Sequence, residues 1–332
     1  MQGWMRIHWL TRTVGLLLVV ASVLAAGVML ASAFAVRARG TDQATALRPW
    51  LSLPKAADHR YRIKVKIRVL LPWFSWDDVG SARMTWYRGD GADRGLEMLI
   101  GSDPLRAPRR INRWGYVAEQ SRGGVATTIG VMKPTDDASL QEAKRRLEKE
   151  QSGSVVFNMI RETVSGDQSV TEVTKAFVSR DYSYRDLDAL LTEFNGVTSQ
   201  PEVKRARVES GVTPGLLTTI AGVMREDAEA RRRGRSPRGA QGKIARYAFN
   251  AKVYTLKLAS STFVGTQQYD GRYFANLVQN DFEISMQGFS WKERFAVVYA
   301  MESSGTELPI FASYQPRWWF KAELLLDEKQ VF

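Results

Sequence analysis

Residues 61–69 alternate without a fault: Tyr61, Ile63, Val65, Ile67 and Val69 are apolar, and Arg62, Lys64, Lys66 and Arg68 between them are basic. Successive side chains of an extended chain point to opposite faces, so this segment sorts every apolar group to one face and every cation to the other. A strand buried on one face and wet on the other belongs in an antiparallel sheet. Further strands are expected at 81–88, 95–100, 114–120, 125–132, 155–163, 169–178, 281–287, 291–301, 309–315 and 317–326. The run Gly89-Asp90-Gly91-Ala92-Asp93-Arg94 suits a hairpin connection. Over 247–258 the apolar positions are odd as far as Val253 and even from Tyr254, which suggests a β-bulge in one long strand.

Helical signals are fewer. Asp136 or Asp137 starts a helix through Leu140, Ala143 and Leu147, and residues 184–194 form a short one ending at Asn195-Gly196, where glycine can take a positive φ. Thr213-Pro214 has the form of a helix start, followed by the apolar stripe Leu216, Leu217, Ile220, Val223, Met224 and Ala228. The expected fold is therefore α+β and β-rich: a mainly antiparallel, barrel-like sheet with a mixed insert. Its segments are a first β-rich stretch at 60–135, a mixed helix and strand stretch at 136–240, and a second β-rich stretch at 241–332 sharing a sheet with the first.

A different constraint precedes this body. No charge occurs between Arg12 and Arg37, and residues 14–36 are almost wholly Leu, Val, Ala, Gly, Met and Phe. At about 1.5 Å per residue, such a run spans a hydrocarbon core of about 30 Å. It is longer than the hydrophobic region of an ordinary cleaved signal peptide. The expectation is a tail at 1–13, a single retained transmembrane helix at 14–36 and a linker at 37–59. Trp4, Trp9 and Trp50, with Arg37 and Arg39, stand where membrane-interface anchors belong. The short basic tail followed by an apolar run has the layout of a signal-anchor. It places the bulk of the chain on the periplasmic side of a bacterial inner membrane, although the charges flanking the run favour the cytoplasm.

Composition narrows the chemistry. There is no cysteine, which removes disulfides, thiol catalysis and thiolate metal sites. The two histidines, His8 and His59, leave the body from Arg60 onward without one, so neither a Ser-His-Asp triad nor a histidine-ligated metal is available there. No phosphate-binding loop or dinucleotide fingerprint is present, and no cofactor is expected. The carboxylates open to acid–base work are Asp77-Asp78, Asp136-Asp137 and the pair Asp281/Glu283, of which only the last shares a strand face.

The net charge of +12 favours anionic partners. The row Arg60, Arg62, Lys64, Lys66 and Arg68 is the most specific feature. Either a partner or lipid headgroups face it, or carboxylates of neighbouring strands such as Asp281 and Glu283 pair with it. Arg317, Trp319 and Lys321 form a second candidate interface, with Trp318 turned to the core by strand parity and Trp319 to the outside. The arginine-rich run 231–238 is a solvated or membrane-surface loop; without aromatic residues it does not suit nucleic acid. The leading expectation is a non-catalytic, membrane-anchored accessory subunit docked on a larger membrane complex, light-harvesting or respiratory, with anionic lipid as a second partner. The alternatives are a β-barrel carrier for an apolar ligand, lined by the inner faces of 247–258 and 291–301, and a carboxylate-based membrane-tethered hydrolase.

Overall fold

The computed structural model describes residues 53–68, 72–91, 93–110, 112–132, 155–198, 200–209, 211–234, 239–286, 289–301 and 307–327. The segment 14–36, with Trp4, Trp9, Arg37, Arg39 and Trp50, and the helix expected after Asp136, lie outside these residues. Among the described residues, no helix is long and apolar enough to cross a membrane.

Strand follows strand along most of the chain: β1 (Lys55–Arg68), β2 (Trp73–Arg88), β3 (Arg94–Ser102), β4 (Trp114–Arg122), β5 (Val125–Met132), β6 (Val155–Ser165), β7 (Gln168–Val178) and β8 (Glu202–Arg207) in the first part. The second part holds β9 (Val212–Pro214), β10 (Ile244–Phe249), β11 (Lys252–Tyr269), β12 (Arg272–Met286), β13 (Lys292–Met301), β14 (Glu307–Arg317) and β15 (Phe320–Leu326). Helix α1 (Leu187–Asn195) precedes β8, and α2 (Leu216–Arg232) follows β9. All fifteen strands belong to one sheet, in the order β8-β7-β6-β5-β4-β3-β2-β1-β15-β14-β13-β12-β11-β10-β9. The chain is thus two meanders joined where β1 pairs with β15, with Tyr61 opposite Leu326 and Ile67 opposite Phe320. Strands β1 to β5 and β10 to β15 lie in one sheet, and β6, β7 and β8 extend it. Among the described residues, only the short β9–β10 pairing is parallel.

The alternation in 61–69 does what its period requires: Tyr61, Ile63 and Val65 are buried, and the intervening cations are not. Their apolar face belongs to the same buried cluster as α2. Leu216, Leu217, Val223 and Met224 of the helix share a cluster with Ile63, Val65, Leu256, Leu258, Phe282 and Val298. The sheet therefore wraps around α2. Each large aliphatic side chain buried there contributes about 1.5–3 kcal/mol. A second cluster lies under α1, where Leu190, Leu191 and Phe194 cover Trp114 and Phe157.

Three local expectations need correction. The parity change in 247–258 is a hairpin and not a bulge: β10 and β11 meet through Asn250 and Ala251, whose φ values are +52° and +56°. Two successive positive φ values make the primed turn that matches strand twist, and they leave Tyr247 opposite Tyr254 with rings stacked at 5.2 Å. Gly196 ends α1 with φ −82°, an ordinary helical value, because its N–H still bonds the Glu193 carbonyl. Thr213 and Pro214 belong to β9, and α2 begins two residues later, after Gly215.

Candidate functional site

The parity of the strands also decides which acids are buried. Glu119 in β4 follows Val117 on the inner face and reaches the amino end of α2. Its Oε1 accepts the Leu217 N–H at 2.8 Å, and its Oε2 accepts the Thr218 N–H at 2.7 Å and the Thr218 hydroxyl at 2.8 Å. The carboxylate thus satisfies donors that a helix end leaves open. Gly215 permits the approach: its φ is +79°, and a Cβ there would sit 2.1 Å from the Glu119 carboxyl carbon. Burial pushes Glu119 up to about 7, although the three hydrogen bonds pull the other way.

Glu162 in β6 does the same for the β10–β11 turn. It accepts the Asn250 N–H at 2.7 Å and the Ser169 hydroxyl at 2.6 Å, and burial raises its pKa. Asp227 on α2, fully buried, accepts the Tyr299 hydroxyl at 2.7 Å, the Ser261 hydroxyl at 2.8 Å and the Ala240 N–H at 2.6 Å. Arg231 lies 3.4 Å from it. These three acids were not singled out from the sequence. Each is a structural latch: every oxygen is aimed at a donor of the chain itself.

The outer face of β1 is the candidate site, and it differs from expectation in its pairings. Arg62 forms ion pairs with Asp270 and, at 3.6 Å and 3.7 Å, with Asp78 and Asp327. Lys64 pairs with Asp77 at 2.7 Å, and Lys66 with Glu323 at 2.8 Å. Lys321 reaches the same Glu323 at 2.9 Å. Burial tends to raise the pKa of Glu323, but the hydrogen bonds from Lys66 and Lys321 prevail and lower it. The anions facing the row are therefore Asp77, Asp78, Asp270, Glu323 and Asp327. Asp281 and Glu283, the partners expected from strand parity, are engaged elsewhere. Glu283 binds Lys292 and Arg294, both at 2.9 Å, and Asp281 binds Ser260 and Gln279.

Asp270 comes from far along the sheet. The β11–β12 hairpin outruns its neighbour β13, which pairs with β12 only from Leu277 onward. Register shifts around Gly265 and a positive φ at Asn276 mark where its ladder becomes irregular. The tip reaches the outer side of β14 and β1, with Tyr269 stacked on Phe311 at 5.1 Å and Asp270 on Arg62. Beneath it lies a cleft of about 280 Å³ lined by Arg62, Lys64, Lys66, Asp78, Tyr269 and Phe311, among others.

The remaining candidates are placed as follows. Arg60 is exposed on β1, and the Arg68 guanidinium stands 5.9 Å from the Trp318 ring. Arg317 is exposed. Trp318 and Trp319 form the β14–β15 turn and not a strand, so the parity argument does not hold there. Trp318 is 64% exposed, and Trp319 packs partly buried against the core, edge-on to Phe320. The run after 231 is not all loop. Arg231 and Arg232 end α2, Arg232 pairs with Glu307 at 3.0 Å, and Arg233 pairs with Glu229 at 3.1 Å.

Fold and site together define an outward-facing, charge-paired β-sheet protein with a helix-filled interior. No protein-family model matches the chain, and no curated protein does. Among solved structures it is similar to a β-barrel-like protein of the domain of unknown function DUF1849 from Brucella abortus, with 6% identity and a TM-score of 0.35 over 81% of this chain and 95% of that one. That likeness is too distant to bear on function.

Proposed function

We propose that the protein is a non-catalytic, membrane-anchored accessory protein that docks through the outside of its sheet onto a larger membrane assembly. One observation carries the reading: α2 occupies the interior of the sheet, so recognition falls to the outer surface. The same observation removes support from an apolar-ligand carrier, because the inner faces of β10, β11 and β13 are packed on the helix and on one another. A carboxylate hydrolase gains none either. Glu283 is held as an anion by Lys292 and Arg294, which lower its pKa, and the buried acids are occupied by the chain's own donors.

The basic row contributes less to docking than its sequence suggests, since Arg62, Lys64 and Lys66 are paired within the fold. Exposed aromatic residues with arginines beside them are the stronger candidates. The experiment is native mass spectrometry of the full chain released under mild detergent. A partner at fixed stoichiometry supports docking. A monodisperse chain with nothing bound, under conditions that keep known membrane complexes intact, sinks it.

A further inference from the structure

The two ends of the sheet are chemically unlike. In an antiparallel meander, alternate hairpin connections fall at the same end, so the connections β1–β2, β3–β4, β12–β13 and β14–β15 share one end. Each of these four carries a large apolar side chain turned to solvent, whereas the β10–β11 turn at the same end is polar and buried at Asn250. Trp73 and Phe74, at the start of β2, are 41% and 48% exposed, and Leu105, after β3, is 87% exposed. Phe289, after β12, is 49% exposed, and Trp318 is the fourth contributor. At the opposite end the turns themselves are glycine with aspartate or arginine, Asp90-Gly91, Arg122-Gly123-Gly124, Gly166-Asp167 and Asp270-Gly271, and exposed apolar side chains stand there singly, Val125, Ile244 and Tyr273, on three separate strands. Cations accompany the apolar end, with Arg106 and Arg110 after β3 and Arg317 before the Trp318 turn, all exposed.

We infer that this end is a lipid-contacting rim, seated in the headgroup region of an anionic bilayer. Tryptophan and phenylalanine beside arginine are the residues that occupy that layer, and each cation near an anionic surface contributes attraction. A single exposed leucine or tryptophan needs no explanation. Four consecutive connections at one end, set against tight polar turns at the other, do. The inference rests on the membrane-resident reading above and adds which part of the body meets the lipid. Reach does not forbid it. Residues 37–54 extend at most about 60 Å at about 3.3 Å each, more than the roughly 46 Å length of β1.

The absence of cysteine makes the test clean. Single nitroxide labels are placed at Leu105→Cys and Phe289→Cys on the rim and at Gln168→Cys on the opposite end, in the full chain reconstituted into vesicles containing phosphatidylglycerol. The expected result is that the ratio of oxygen to nickel-chelate accessibility rises several-fold at both rim labels on reconstitution and is unchanged at Gln168→Cys. Rim labels that stay accessible to nickel overturn the inference, as do labels at both ends that turn lipid-like. Rim labels shielded from both reagents overturn it in favour of a protein contact. Flotation of the vesicles separates the two readings: a chain that floats with a wet rim loses only the rim, and a chain that does not float loses membrane residence as well.

Discussion

Replacing Glu119 by glutamine should invert the order of stability between wild type and variant as pH rises. The wild-type carboxyl titrates near its usual 4.5 when unfolded and at about 7 when folded. A raised folded value means that the contribution of this group is fully present below pH 4.5 and is lost as pH rises through 7. At about 1.4 kcal/mol per pH unit, that interval corresponds to about 3 kcal/mol. Glutamine does not titrate. Its carbonyl can still accept the Leu217 N–H and its amide can donate to the Thr218 hydroxyl, but the Thr218 N–H loses its acceptor, at a cost of about 1–2 kcal/mol. At pH 5, where about 1 kcal/mol of the wild-type advantage is already lost, the variant should be less stable than wild type by up to about 1 kcal/mol, and at pH 8 more stable by about 1–2 kcal/mol. Urea unfolding followed by tryptophan fluorescence at both pH values reads the difference, because Trp114 is fully buried. Glu162, whose pKa is raised as well, is common to both proteins and cancels. If the two stabilities keep the same gap from pH 5 to pH 8, Glu119 is not buried as a titrating cap and the account of the α2 amino end is wrong.

Other substitutions test neighbouring parts of the same argument. Gly215→Ala places a Cβ against the Glu119 carboxyl at a positive φ, and should cost about 3 kcal/mol or more, seen as a lowered urea midpoint. Ala251→Gly should raise stability by about 0.5–1 kcal/mol, since alanine is held at φ +56° where glycine is at ease. Asp227→Asn leaves Arg231 buried without its carboxylate and should cost about 3–5 kcal/mol by the same measurement. Arg62→Ala should leave global stability within about 1 kcal/mol, because the pair is partly exposed, while amide exchange around Tyr269 and Asp270 rises about fivefold as the hairpin tip lifts.

Much of the sheet was legible because burial imposes period two on a strand with one wet face. Ile63 and Val65 could be assigned inward from their spacing alone, and the structure buries both. Periodicity stops being informative where the chain turns, and the misread positions cluster there. Trp318 and Trp319 interrupt an otherwise regular row, yet they are the turn itself, so counting through them reversed their exposures. The parity change at Val253 and Tyr254 was visible but ambiguous, since a bulge and a two-residue turn both shift parity. Only pairing partners tell the two apart. The ion pairs of β1 were beyond reach for a related reason. Asp270 belongs to a hairpin tip four strands away in the sheet, and no local pattern indicates that its strands outrun their neighbour.

The latches were legible in principle, by a rule that runs against the usual reading of charge as surface. Glu119 stands in phase with Val117, Glu162 with Ile160 and Val164, and Asp227 beside Val223, Met224 and Ala228 on the apolar side of α2. An acid in phase with an apolar row is taken inward by its neighbours, and its burial is tolerable only if donors converge on it. Such donors are in supply where this fold needs them. Among the described residues the sheet order ends at β8 and β9 without a ladder between them, so there the two meanders have no strand pairing to hold that side closed. A carboxylate accepts several hydrogen bonds at once and imposes no strand register. Glu119 and Glu162 therefore join β4 and β6 to α2 and the β10–β11 turn across a seam where backbone pairing is absent, with Ala126, Val164, Val208 and Ala248 packed beside them. Closure of the sheet at this seam thus depends on side chains, and its strength follows the protonation of two buried acids.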